Sequence, residues 1–255
     1  MAPSALQIDN RAGALFDNQP VIAEAKSKAR VPVAQQDQVA RIVAMENAER
    51  EGLFSLMYAD LLRNLYQTRW RHLSTYPAWQ RPWQALTFIL RFDTLWAVWW
   101  YRLKRFSLRW RIPIVPRILD RFLAAFYQVQ IGDHVFIGPG LYIPHGFVVI
   151  DGFVEIGRNC VISPFVTIGL RNSQADGFSF FGPRAGDELW IGTHTTLLGD
   201  ISLGDHTSVG ANSLVLTDLP GYCTAAGTPA RVIRELDRES VAELVAMQEM
   251  GYAGG

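Results

Sequence analysis

From Ile131 onward the chain keeps a period of six. Ile131, Ile137 and Ile143 stand six apart; after one extra residue Ile150, Ile156, Ile162 and Ile168 do the same; after a gap of 23, Ile191, Leu197, Leu203, Val209 and Val215 repeat it. A helix returns apolar residues at three- and four-residue steps and an ordinary strand at every second residue, so twelve positions in register at six fit neither. Glycine follows the aliphatic residue at Gly132, Gly138, Gly157, Gly169, Gly192, Gly204 and Gly210, and a small or apolar residue sits four after it at Val135, Cys160, Thr195, Thr207 and Ser213. This is the pattern of a parallel β-helix, in which three short strands make a triangular coil of about eighteen residues and the repeated aliphatics point down the axis.

The period fails for more than one residue only across 170–189, where Asn172, Asp176, Gly177, Gly182, Pro183 and Gly186 mark a long loop leaving one coil. Excursions of this length on a compact scaffold usually carry function. Upstream, apolar residues from Val39 to Leu65 recur at helical steps and predict one long helix or two short ones over 38–68. Pro77 and Pro82 interrupt the chain, a second helical pattern runs from Trp83 to Trp110 up to Pro113 and Pro116, and a third short helix spans Pro116 to Tyr127. The expected fold is therefore α+β. A flexible arm (1–36) and a helical domain (37–128) precede the β-helix (129–233), and a C-terminal helix and tail (234–255) follow, the helix being read from Val232 to Met250.

Hydrophobic residues at 49% and charged residues at 19% supply a core. Formal net charge is zero, which argues against a nucleic-acid partner. That zero is uneven: residues 81–121 carry nine basic and two acidic side chains, residues 122–255 carry six and fourteen, and seven of the eight tryptophans lie between 70 and 110. Two cysteines, Cys160 and Cys223, make neither a disulfide framework nor a zinc cluster, and no metal is expected. With no signal sequence, and with the apolar runs 86–90 and 95–101 cut by Arg91, Asp93 and Arg102, a soluble or peripheral cytoplasmic protein is expected. Whether the basic, Trp-rich helices rest at the inner face of a membrane or pack against other helices is left open.

The segments IPHGFVVI (143–150), VEIGRNCVISPFVTIG (154–169), LWIGTHTTLLGDISLGDHTSVGANSLVLTDLP (189–220) and AAGTPARVI (225–233) resemble the hexapeptide-repeat acyltransferases, and within them the serine acetyltransferase-like branch. The resemblance implies a left-handed β-helix, a homotrimer with active sites between subunits, acetyl-CoA as acyl donor and a hydroxyl as acceptor. A dimer of trimers through the helical domain is open. The chemistry can be argued from the residues at His145. His134, His194 and His206 share one repeat slot, as corner residues would, whereas His145 follows Ile143 by two, lies beside the one-residue slip, and is flanked by Pro144 and Gly146. A neutral imidazole can take the proton of a hydroxyl attacking a thioester, by direct transfer. Carried over by motif, Gly192, Thr193, Gly210, Ala211, Ala226 and Gly227 would lie along the pantetheine, with Arg231 on a phosphate. Cys160 reads as an inward core residue.

Serine acetyltransferases resembling this chain carry an acidic residue before the histidine, another in the preceding coil, and an Arg-His pair before the proline closing the loop. Here those positions hold Pro144, Gln130 and the pair Phe181 and Gly182. Without these charges there is little to hold a zwitterion. Tyr142, Phe147, Phe181 and Trp190, with Phe178 and Phe180, supply aromatic surface instead, and Arg171, Asn172, Asp176 and Arg184 supply polar groups, a mixture that suits a sugar ring. The preferred expectation is an O-acetyltransferase acting on a saccharide hydroxyl, of an exopolysaccharide, capsule or lipid-linked precursor. Serine O-acetylation for cysteine biosynthesis and a non-catalytic hexapeptide scaffold are the alternatives.

Overall fold

Helices come first and short strands after, as the change of period requires. The computed structural model describes residues 52–68, 76–91, 93–171, 180–239 and 241, all within one unit spanning 49–255. The expectations for residues 1–36, for the start of the first helix and for most of the C-terminal helix lie outside the described residues. The helices are α1 (Leu53–Thr68), α2 (Arg81–Arg91), α3 (Asp93–Arg109) and α4 (Val115–Phe122), the last running into a π-helical turn, Leu123–Tyr127. None of the described helices is long and apolar enough to cross a membrane.

The strands, numbered in chain order, stack into three sheets that are parallel except where the last strand joins the third. The first holds β1 (Val129–Ile131), β3 (Val148–Ile150), β6 (Thr167–Gly169), β9 (Thr196–Leu198) and β12 (Leu214–Val215); the second β2 (Val135–Ile137), β4 (Phe153–Ile156), β7 (Phe181–Ala185) and β10 (Ser202–Leu203). The third holds β5 (Val161–Ile162), β8 (Trp190–Ile191), β11 (Ser208–Val209), β13 (Cys223–Gly227) and β14 (Ala230–Glu235). Val149 pairs with Thr167, and Thr196 with Leu214, each eighteen residues on, which is one coil. All twelve template aliphatics are buried, from Ile131 at 3% exposure to Val215 at 1%. The buried hydroxyls of Thr195 and Ser213 donate to the Gly210 carbonyl and that of Thr207 to Pro220, so polar groups inside the coil stay satisfied.

Two expectations are corrected. The loop does not extend to 189, because Phe181–Ala185 forms β7 and pairs with β4. Ala185 stands six before Ile191 and is buried, so the period resumes there with an alanine that a search for larger aliphatics passes over. The segment from Val232 is also not helical at its start: β14 folds back antiparallel on β13, Ala225 opposite Val232, covering an edge that would otherwise be open.

The basic surplus of the helices turns partly inward. Arg102 on α3 is 2% exposed; its Nε donates to Asp60 Oδ2 at 2.9 Å and its guanidinium to the carbonyls of Ile137 and Gly138. Asp60 Oδ1 in turn accepts from the amides of Gly140 and Leu141 at 3.0 and 2.9 Å. Lys104 donates to the Ile131 carbonyl and pairs with Asp120 and Asp133, and Arg105 lies over the Phe136 ring. A buried ion pair is tolerated when every remaining lone pair and proton is used, and here the first coil uses them. Tryptophans also pack helix to helix: Trp99 Nε1 donates to the Met57 carbonyl and Trp100 meets Phe122 edge-on at 5.4 Å.

Candidate active site

Each coil turns from the third sheet to the first through a residue with left-handed backbone. In successive coils this residue is Phe147, Phe165, His194 and Asn212, with φ between 56° and 63°. His145 lies in the lowest of these turns, between Ile143 and β3, and its side chain is exposed. Gly146 is required there: a Cβ would stand 2.1 Å from the Tyr127 carbonyl oxygen, so the turn can lie against the π-helical segment only with glycine. The Val148 amide then donates to the Gln128 carbonyl at 3.2 Å, closing the turn.

Above His145 the edge is lined by rings. Phe147 stacks on Phe165 at 4.7 Å and 16°, and Phe165 on His194 at 4.5 Å and 5°; all three are exposed. Further along come Gly192 and Thr193, then Gly210 and Ala211, then Ala226 and Gly227, so the fold gathers every residue proposed to touch the pantetheine on the edge that carries His145. Thr193 Oγ1 donates to the Pro164 carbonyl at 2.8 Å and Thr228 Oγ1 to the Asn212 carbonyl at 3.2 Å, tying neighbouring turns together. Arg231 on β14 stands opposite Ala226, at the top of the same edge. Gly192 has a scaffold reason for its identity as well, since a Cβ there would lie 2.7 Å from the Ala211 amide.

The remaining candidates divide. Trp190 on β8 is half-exposed on the third sheet. Tyr142 is buried beside Val161, which raises the pKa of its phenol, and it serves the coil more than a ligand. Phe181 is 3% exposed in β7 with its ring 5.6 Å from Phe153, a wall residue of the second sheet and not a surface beside His145. Arg184 is exposed on β7, and Arg171 lies where the loop leaves the first sheet, against Gly199; neither shares the His145 edge within one chain. Asn172 and Asp176 lie outside the described residues. Cys160 is buried, and desolvation pushes its thiol up to about 12, so it is a core residue. Phe165 and His194 are the partners that motif reading missed. The signal was present, because Phe165 follows Phe147 by one coil of eighteen residues.

Residues 128–170 match the family model described as bacterial transferase hexapeptide (six repeats). A serine acetyltransferase of Helicobacter pylori is 33% identical over 167 residues, which cover 64% of this chain and 92% of that protein. One from Synechococcus elongatus is 32% identical over 134 residues, and the chain spans about half of that relative's length, 54%. A galactoside O-acetyltransferase of Escherichia coli is 32% identical over 114 residues, covering 42% of this chain and 56% of that enzyme. The soybean serine acetyltransferase apoenzyme superposes with a TM-score of 0.60 at 28% identity, over 71% of this chain and 69% of that one. The helical region followed by a left-handed β-helix is thus a shared architecture. On this evidence the chain belongs to the hexapeptide-repeat acyltransferases, in their serine acetyltransferase-like branch.

Proposed function

We propose that this protein transfers the acetyl group of acetyl-CoA to a hydroxyl, with His145 as general base. The observation that carries the proposal is the single edge on which an exposed histidine stands below a run of small residues closed by Arg231. The imidazole accepts the hydroxyl proton as the oxygen attacks the thioester carbonyl, and a backbone N–H donates to the oxyanion. Collapse of the tetrahedral intermediate breaks the C–S bond, and the imidazolium returns the proton to the leaving thiolate. No acyl-enzyme is formed, since holding both substrates in line is sufficient.

For the acceptor, the named relatives favour serine over the saccharide expected from the sequence. A saccharide is the second reading. It is supported by the exposed Phe147–Phe165–His194 column, a flat apolar face beside the base, and by Pro144 and Gln130 standing where charged groups would hold an amino acid. Release of free CoA is measured with serine, with galactosides and without acceptor, for wild type and His145→Ala. Turnover with serine that the substitution removes supports the first reading, and turnover with galactosides alone supports the second. No acceptor-dependent turnover at all would leave a scaffold. A trimer that brings Arg171 and Arg184 of one subunit to the His145 edge of the next fits either reading.

A further inference from the structure

Between Asp93 and Asp120 the sequence holds six basic residues and no acidic one. Arg102, Lys104 and Arg105 are used inside, against the first coil. The rest of that run comes to the surface where α3 ends, and it does so among exposed apolar side chains. Trp110 is 67% exposed, Ile114 69% and Ile118 58%, with Ile112 at 40% between them. From the N-cap of α4 onward, Ile114, Arg117, Ile118 and Arg121 follow one another at the three- and four-residue steps that make one stripe, while Pro116 and Leu119 face inward. The stripe continues into Phe126, 70% exposed, on the π-helical turn whose Tyr127 carbonyl backs Gly146 of the catalytic turn.

Ile114 adds a second, independent observation. It has φ 72° and ψ −45°, a conformation that a β-branched residue rarely adopts, and no packing is gained, since its side chain points to solvent. A polar residue or glycine would cost less there in the isolated chain. The apolar side chain therefore has a use outside it.

We infer that this face, the 110–114 connection with the outer stripe of α4, docks on an anionic lipid surface. Apolar tips and a tryptophan alternating with arginines match a headgroup region, where the ring and isoleucines enter the acyl boundary and the guanidiniums meet lipid phosphates. A second copy meeting this face across a two-fold axis is a poorer occupant. A two-fold contact would set the same stripe against itself, arginines facing arginines, and Asp120, the one carboxylate on α4, is already paired with Lys104. Nucleic acid would use the arginines but leave Ile114 and Ile118 unrewarded.

The test is co-sedimentation of the full-length protein with vesicles of phosphatidylcholine alone or with 30% phosphatidylglycerol, a composition set by the experiment. Wild type is expected to pellet only with the anionic vesicles, and less as salt is raised. Arg111→Ser with Arg117→Ser should weaken partitioning by roughly 25-fold, about fivefold for each arginine. Ile114→Asp with Ile118→Asp should abolish it, and aspartate accepts positive φ better than isoleucine, so the fold should persist. Failure of wild type to pellet with anionic vesicles, or variants that pellet as wild type does, would overturn the inference. So would a fall in solution mass of the Ile114→Asp/Ile118→Asp protein without any vesicle binding by wild type, which would assign the face to a second copy.

Discussion

Two edges of the β-helix share a backbone geometry and differ in what covers them. At the turn from the second sheet to the third, Asn159, Glu188, His206 and Tyr222 occupy left-handed positions at φ 55–56°. Arg63 of α1 reaches this column, donating to the Asn159 carbonyl and pairing with Glu188, while Asn159 Nδ2 donates to Glu188. The His206 and Tyr222 rings lie 4.8 Å apart, tilted by 36°, and Arg238 lies over the Tyr222 ring. All four are part-buried. At the turn from the third sheet to the first, Phe147, Phe165, His194 and Asn212 take the same conformation and stay exposed beside His145. A corner column of left-handed residues is thus a scaffold device, and among the described residues the helices cover one such edge and leave bare the one that carries His145. A histidine in such a column is not evidence of catalysis by itself.

Beyond removal of His145, the comparison can be broken at four places. Gly146→Ala should have the largest effect: a Cβ 2.1 Å from the Tyr127 carbonyl must displace the turn. With a shift approaching 1 Å, kcat/KM should drop by about 100-fold in a steady-state assay. Asp60→Ala removes the carboxylate that faces the buried Arg102, and should cost about 3–5 kcal/mol in chemical denaturation while the bare edge keeps its geometry. Phe165→Ala removes two stacking contacts and should cost only about 1–2 kcal/mol in stability. Its activity separates the acceptors: KM for a galactoside should rise and KM for serine should hold. The smallest effect belongs to Cys160, whose buried neutral thiol should resist alkylation at pH 8 in the native protein and react only after denaturation.

The solenoid was legible because its core is one-dimensional: a residue six places on occupies the next side of the same triangle, so Ile131 to Val215 could be placed without tertiary information. His145 was singled out by its departure from that rule, and the structure places it beside the slip that lengthens the first coil to the nineteen residues from Val129 to Val148. The helical docking was not, since nothing in the spacing of Asp60 and Arg102 says that they meet across the Gly140 and Leu141 amides. Phe181 was misread for a related reason. An aromatic next to a long polar segment looks like loop in sequence, and only the pairing of β7 with β4 turns it into wall. Ala185 hid the resumption of the repeat because one methyl group suffices at a template position where larger aliphatics usually stand.

The most direct measurement sets the two edges against each other in one assay. Acceptor-dependent CoA release is compared for wild type, His145→Ala on the bare edge and His206→Ala on the covered one, with far-ultraviolet circular dichroism to verify folding. Loss of about 100-fold or more for His145→Ala, with His206→Ala within about threefold of wild type, is the expected result for a general base on the bare edge. Equal losses in the two variants, or a larger loss for His206→Ala, would contradict it.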